Sequence, residues 1–209
     1  RLCRLSAPAI PEAWRAPPPP ATPPPRAETI DALAADIGTL VHALLEMAAT
    51  DPQDWPPDVV AAREPGFERW LAARGWPEAD AREGAARAAA MLATTLASAD
   101  GQWVLRPRAD AGAELAIARA SAGHGQETRV VDRSFVEDGL RWIIDYKTAE
   151  LGPEVSVEAS AEADAARLRA HAEAYRPQLE AYAGLFAGEA LPRRLAVFYV
   201  ARGKLVTLD

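Results

Sequence analysis

The chain has 209 residues, of which 49% are hydrophobic and 25% are charged, and thirty acidic against twenty-three basic residues give a formal net charge of -7. This composition is typical of a folded protein, and the acidic balance excludes a protein that coats nucleic acid by bulk attraction to phosphate, although local binding stays possible. Because Cys3 is the single cysteine, an intramolecular disulfide, a four-cysteine zinc site and a cysteine-ligated iron–sulfur cluster are excluded.

The N-terminal segment is dominated by proline. Residues 7 to 28 read APAIPEAWRAPPPPATPPPRAE, in which no helix or central strand could persist, so residues 1–28 are predicted to form a semi-rigid linker. Since the chain opens with Arg1 in place of Met, we expect it to be a piece of a longer protein. No apolar run approaches the ~20 residues that a membrane span needs, so no membrane partner is expected. The single cysteine fits a reducing, cytoplasmic compartment.

Apolar spacing predicts helices up to about residue 100. Between Ile30 and Ala49 the apolar residues recur at intervals of three and four, which is the stripe of an amphipathic helix, and Thr29 is the predicted N-cap. Further helices are predicted at 66–74 and at 78–98.

The remaining chain is predicted to be mixed. Three β-rich runs, at 114–118, 129–136 and 140–147, are most simply three consecutive antiparallel strands. A long alanine-rich helical stretch then covers 157–187, and two short strands follow at 194–200 and 204–208. The predicted fold class is therefore α/β, with an N-terminal helical portion.

The dipeptide Asp138-Gly139 fixes the pairing of two of these strands. A two-residue type I′ turn at this point places Glu137 opposite Leu140, and the same register brings Asp132 opposite Asp145. Directly opposed side chains lie on one face of a sheet, and two like charges there destabilise it. A hard divalent cation between the two carboxylates is the best solution.

Alternation along the same strand places Lys147 beside Asp145, while Tyr146 points to the opposite face. The carboxylates supply oxygen ligands for Mg²⁺ or Mn²⁺, and the ammonium can orient a water or stabilise charge on a phosphoryl group. This combination indicates phosphodiester hydrolysis. Other chemistries lack their motifs, since the sequence has no P-loop, no H-E-x-x-H and no G-x-S-x-G.

Asp132 followed by Ile143-Ile144-Asp145-Tyr146-Lys147-Thr148 resembles the D…(D/E)xK core of the PD-(D/E)XK nucleases, and specifically the RecB-type branch, whose signature strand reads DYKT. The same branch places a Gly-x-x-x-His helix upstream and a Gln-x-x-x-Tyr helix downstream. This sequence has Gly38 and His42 in the first position and Gln178 and Tyr182 in the second. The resemblance covers roughly residues 29–209.

The resemblance implies a restriction-endonuclease-like core in the order αβββαβ over residues 29–209. It implies Asp132, Asp145 and Lys147 as catalytic residues. The implied Mg²⁺ or Mn²⁺ ligands are His42, Asp132, Asp145 and the carbonyl of Tyr146. Glu114, Gln178 and Tyr182 are implied as accessory or DNA-contacting residues.

The resemblance also implies a biological setting. RecB-type domains often follow a helicase, so the chain is similar to the C-terminal nuclease domain of an AddA- or RecB-like helicase–nuclease. Its expected partners are DNA, the helicase domain of the same polypeptide and a second helicase–nuclease subunit. The expected activity is an exodeoxyribonuclease of recombination and double-strand-break repair. The alternative is a catalytically silent, DNA-guiding module of a helicase, which the intact His, Asp, Asp and Lys positions disfavour.

One stripe in the long helical stretch carries polar residues. His171, Tyr175, Gln178 and Tyr182 recur at helical spacing, and such a seam is too polar for a dry core. Gln178 and Tyr182 match the positions at which the resemblance implies contacts to the site, so they are assigned to it, whereas His171 and Tyr175 are assigned to packing. Pro177 predicts either a kink or the start of a new helix at this point.

Overall fold

The computed structural model describes residues 26–51, 54–108, 110–120, 126–149 and 161–208, without the side chains of 26–31, 113–120, 126–129 and 161. Most of the predicted proline-rich linker lies outside the described residues. The helices, in chain order, are α1 Arg26–Thr50, α2 Pro57–Ala73, α3 Glu78–Ala97, α4 Ala99–Leu105, α5 Ala161–Glu173 and α6 Arg176–Leu185. The strands are β1 Gly112–Ala120, β2 Gln126–Glu137, β3 Leu140–Lys147, β4 Arg193–Tyr199 and β5 Lys204–Leu208.

Helix α1 is the predicted amphipathic helix, and its apolar stripe forms a large part of the core. Ile37, Val41 and Leu45 are almost fully buried on this stripe. The helix begins at Arg26, so the prediction of Thr29 as its N-cap is wrong. The helix begins four residues earlier than predicted because the proline run ends at Pro25.

The segment Ala32–Thr50 of α1 is long and apolar enough to cross a membrane by length and composition alone. The expectation that no run approaches this length therefore needs correction. The buried stripe explains the composition, because this helix supplies core residues to the sheet and to α3. A core helix passes the same test as a span, so the finding is weak evidence for a membrane.

Helix α3, Glu78–Ala97, confirms the predicted helix at 78–98 to within one residue, whereas α2 and α4 depart from the prediction. Helix α2 begins at Pro57, nine residues before the predicted start at 66, and contains Pro65 in its interior. Pro65 removes one backbone hydrogen bond, but burial of Phe67 and Leu71 on one face keeps the helix continuous. Helix α4, which spacing alone did not predict, begins at Ala99, and its N-cap is Ser98, whose hydroxyl accepts a hydrogen bond from the Gly101 N–H.

The five strands form one mixed sheet in the order β1-β2-β3-β4-β5. The predicted β1-β2-β3 antiparallel meander is confirmed, and β4 adds parallel to β3. Asp138 and Gly139 have φ of 52° and 73°, as the predicted two-residue turn requires. Helices α1 to α4 cover one face of the sheet.

The second face is covered by α5 and α6, which replace the single predicted helical stretch. Helix α5 ends at Glu173 and α6 begins at Arg176, with Pro177 in its first turn. The prediction of a break at Pro177 is confirmed. Leu168 and Ala172 of α5 and Leu179 of α6 are buried in a second core cluster against the sheet.

Candidate active site

The end of β3 carries two charged side chains on the face of the sheet that α6 covers. Asp145 and Lys147 lie two residues apart, and Lys147 Nζ lies 2.7 Å from Asp145 Oδ2. Ile144 and Tyr146 point to the opposite face, where they pack with α1 to α4. The predicted alternation along this strand is therefore confirmed.

The Asp145 carboxylate lies in an environment that opposes its charge. Only 4% of its side chain is exposed. Burial raises the pKa of Asp145, and the nearby Asp132 carboxylate raises it further, whereas Lys147 and His42 act in the opposite direction. Two neighbouring carboxylates, one of them buried, form a place where an added cation is stabilised.

Asp132 joins β2 to both β3 and α1. Its Oδ2 accepts a 2.6 Å hydrogen bond from the backbone N–H of Tyr146. Its Oδ1 lies 3.2 Å from Nδ1 of His42 on α1. The Asp132 side chain thus ties the predicted Gly-x-x-x-His helix to the strand that carries Asp145 and Lys147.

The direct Asp132–Asp145 cross-strand pair that the sequence predicts does not form. The β2-β3 ladder follows the predicted register from Glu137 opposite Leu140 to Arg133 opposite Ile144, and it ends there. Strict alternation would place Val131 on the face of Phe135, but the two residues lie in the core clusters of opposite faces. The alternation of β2 side chains between the two faces of the sheet is therefore interrupted at Asp132. The Asp132 and Asp145 carboxylates interact without being directly opposed.

Helix α6 supplies the amide that completes the surroundings of Asp145. Gln178 Nε2 donates hydrogen bonds to Asp145 Oδ1 at 2.8 Å and to the Tyr182 hydroxyl at 2.7 Å. Gln178 and Tyr182 lie one helical turn apart on the same side of α6. The structure thus brings Gln178 to the predicted carboxylate and Tyr182 to Gln178.

Tyr146 and Glu114 are the two remaining predicted site residues on the strands. The Tyr146 ring is buried among His42, Phe198 and other residues of the α1–α4 face, and burial raises the pKa of its hydroxyl. Its backbone N–H, by contrast, contacts Asp132. Glu114 belongs to β1, but its side chain lies outside the described residues.

Helix α1 approaches the end of β3 closely because residue 38 is glycine. A Cβ atom added at Gly38 would lie 3.1 Å from Thr148 Oγ1. A cleft of about 440 Å³ opens beside this contact, and its lining includes Gly38, His42, Tyr146, Lys147 and Thr148. The end of β3 is therefore open to solvent on the side of α1.

The close approach can be tested by a double-mutant cycle. In a helix interior Gly→Ala alone stabilises by ~0.5–1 kcal/mol, whereas overpacking costs ~1–3 kcal/mol. Gly38→Ala should therefore be less favourable when Thr148 is present than in a Thr148→Ala background, by ~1 kcal/mol. Urea unfolding of the four proteins measures this coupling. An equal change in both backgrounds would show that Thr148 does not limit the approach.

Sequence patterns missed two features around these residues. The Tyr175 ring lies against the Lys147 ammonium, whereas the sequence predicts a packing role for Tyr175. Arg133 is buried beside Asp132 and donates hydrogen bonds to the carbonyls of Val104 and Arg106, which fixes β2 to α4. Helical spacing gave a partial signal for Tyr175, whereas the contacts of Arg133 depend on a helix that spacing did not predict.

Comparison with known proteins places this geometry in a family. A family model described as the PD-(D/E)XK nuclease superfamily matches residues 20–206. The chain belongs to the PD-(D/E)XK nuclease superfamily. A search of curated proteins found no match. The mixed α/β fold with an N-terminal helical part agrees with this superfamily, whose members are usually nucleases that use divalent metals such as Mg²⁺.

The donor chemistry of this PD-(D/E)XK domain fits a hard divalent ion. Within the described part of the chain, no three His, Cys, Asp or Glu side chains are grouped closely enough to hold a metal as they stand. The residue types are nevertheless suitable as ligands of a divalent ion, because Asp132 and Asp145 offer carboxylate oxygens and His42 offers an imidazole nitrogen. Burial, followed by the neighbouring Asp132 carboxylate, raises the pKa of Asp145, and a cation at this point would favour its ionised form.

The arrangement can support phosphodiester hydrolysis. A divalent ion, when bound, supplies Lewis acidity and lowers the pKa of water. Lys147, with 19% of its side chain exposed, can contact a phosphoryl oxygen or a water from the cleft. Gln178 holds one oxygen of Asp145, so the orientation of that carboxylate is set by α6.

Proposed function

We propose that this PD-(D/E)XK domain catalyses Mg²⁺- or Mn²⁺-dependent hydrolysis of DNA as an exodeoxyribonuclease. The observation that carries the proposal is the connected array in which Lys147 and Gln178 contact the two oxygens of Asp145. Asp132 and His42 lie beside it and supply further ligands. In this proposal His42, Asp132, Asp145 and the Tyr146 carbonyl hold the metal, and Lys147 helps to place the attacking water.

The proposal extends to the setting of the domain. The DYKT strand and the Gly38/His42 and Gln178/Tyr182 pairs support a RecB- or AddA-type module of a helicase–nuclease in recombination and double-strand-break repair. The helicase domain of the same polypeptide and a second subunit are its proposed partners, in the cytoplasm. With one cysteine in the sequence, no iron–sulfur cluster is proposed.

The substrate is tested by offering the chain several nucleic acids with Mg²⁺ or Mn²⁺. Linear single- and double-stranded DNA, labelled at either end, are compared with a covalently closed circle and with RNA. An exodeoxyribonuclease degrades the linear DNA and leaves the closed circle intact. Cleavage of the circle at the same rate would contradict an exonuclease, and a preference for RNA would contradict a deoxyribonuclease.

The helicase setting predicts that the isolated domain binds DNA weakly. A net charge of -7 leaves little bulk attraction to phosphate. Fusion to a single-strand-binding module, which provides an effective concentration of about 1 mM, should raise cleavage at low DNA concentration and leave the saturating rate unchanged. Rates measured against DNA concentration for free and fused forms check this. A higher saturating rate in the fusion would mean that the neighbour reshapes the active site.

A further inference from the structure

The ammonium of Lys147 has a second support besides Asp145. Lys147 Nζ lies 4.0 Å from the centroid of the Tyr175 ring. This distance is within the range at which a cation is attracted to the face of an aromatic ring. The lysine is therefore held from two sides, by the carboxylate of its own strand and by a ring between α5 and α6.

The backbone of Tyr175 is fixed by the break between the two helices. Its N–H donates a 3.0 Å hydrogen bond to the Ala172 carbonyl, and its own carbonyl accepts one of 3.0 Å from Leu179. Ala172 and Leu179 are both fully buried in the core against the sheet. Pro177 favours the start of α6 at this point. The position of the Tyr175 ring thus follows from the helix break.

The Tyr175 ring also packs against a second aromatic ring. His171 packs against Tyr175 in an edge-on contact, with ring centroids 5.2 Å apart. His171 Nδ1 lies 2.9 Å from the Tyr199 hydroxyl, which donates to the Leu168 carbonyl. Because the hydroxyl proton is used on that carbonyl, the Tyr199 oxygen accepts from the imidazole. A series of contacts therefore runs from the core of α5 to Lys147.

The two supports differ in what they must do during the reaction. Asp145 Oδ2 contacts Lys147 and belongs to the carboxylate that is proposed to hold the metal, so one carboxylate would serve two cations. The Tyr175 ring has no competing ligand role. It can hold the ammonium independently of that carboxylate.

We propose that Tyr175 is a positioning residue, which holds the ammonium of Lys147 in its working place. This inference rests on the proposed nuclease function for its catalytic consequence, but the contact itself can be measured without catalysis. Lys147 and Lys204 are the only lysines in the sequence, so lysine-labelled protein gives two sets of side-chain NMR signals. Lys204 is exposed on β5, and Lys204→Arg assigns the signals.

In metal-free wild-type protein, the Lys147 εCH₂ protons should be shifted upfield by the ring and should show cross-relaxation with the Tyr175 ring protons. If the wild type shows neither the upfield shift nor the cross-relaxation, the proposal is overturned, whatever the variants show. Tyr175→Phe, which keeps the ring, should retain the upfield shift, and Tyr175→Leu should lose it. If the wild type cleaves no DNA, the proposed nuclease function fails while this measurement still decides the contact.

Catalysis provides the second measurement. Tyr175→Leu should lower kcat roughly tenfold with little change in KM for DNA, and Tyr175→Phe should restore most of the loss. Thermal unfolding of both variants is measured alongside. Equal loss of kcat in Phe and Leu variants would overturn the role of the ring, as would a Leu variant with unchanged kcat.

Discussion

Asp145→Asn is expected to lower DNA cleavage by at least ~10²-fold, the loss that removal of one charge-stabilising group commonly causes. The amide keeps an oxygen that can accept the hydrogen bond from Gln178, so the surroundings are preserved. What disappears is the negative charge that Lys147 contacts and that a metal requires. Cleavage rates with saturating Mg²⁺ measure the effect.

The same variant should fold at least as well as the wild type. Because folding raises the pKa of Asp145, the ionised carboxylate costs stability at neutral pH, and this cost disappears as the pH falls and Asp145 becomes protonated. The wild type should therefore gain stability relative to Asp145→Asn at mildly acidic pH, in denaturant unfolding with a chelator present. The opposite trend would mean that the Lys147 ion pair outweighs burial.

Asp138→Asn is the matched control for both measurements. It removes the same charge from the turn at the far end of the β2-β3 hairpin, where Asp138 has φ of 52° and Asn is well tolerated. Cleavage and stability should stay near wild-type values. An equal loss of cleavage in this control would trace the effect to net charge rather than to the site.

Addition of Mg²⁺ or Mn²⁺ should raise the melting temperature of the wild type. At a free ion concentration of about 100 times Kd the native state gains ~2.7 kcal/mol, which corresponds to about 5–10 °C for a domain of this size. The gain arises because the ion binds beside Asp132 and Asp145 in the folded chain only. Differential scanning calorimetry at constant ionic strength measures it.

Asp132→Asn should abolish most of this shift. The amide oxygen can still accept the Tyr146 N–H, so the local backbone contact is retained while one ligand charge is lost. Asp138→Asn, which lies outside the site, should keep the full shift. If all three proteins shift equally, the ion binds elsewhere on the acidic surface.

The β2-β3 turn and the start of α6 could be predicted from the sequence, because backbone preferences of a few neighbouring residues determine both. Asp138-Gly139 requires positive φ at both positions, so it fixed the turn and the register as far as Arg133 opposite Ile144. Pro177 likewise predicted the start of α6, since proline is favoured in a first helical turn. The resemblance added Gln178 and Tyr182, whose hydrogen bonds to the site depend on this helix start.

Long-range contacts account for what the sequence could not predict. Asp132 Oδ1 lies 3.2 Å from Nδ1 of His42, which stands ninety positions earlier in the chain on a helix that reaches the end of the sheet. No pairing rule within a hairpin contains this contact. The Lys147–Tyr175 contact similarly depends on how α5 and α6 meet. Helical spacing placed Tyr175 on the same stripe as Gln178, but it could not show that a helix break would turn the ring toward the lysine.

The most direct test of a metal-dependent nuclease centre at the end of β3 is a Mg²⁺ titration of DNA cleavage by the wild type and by Lys147→Ala. Both proteins are purified in parallel, so that a contaminating nuclease contributes equally to each. We predict that wild-type cleavage of linear DNA rises with Mg²⁺ to a plateau and is abolished by a chelator. The Lys147→Ala protein should stay at least ~10²-fold slower throughout. Equal rates for the two proteins, or wild-type cleavage that persists without divalent ions, would contradict the account.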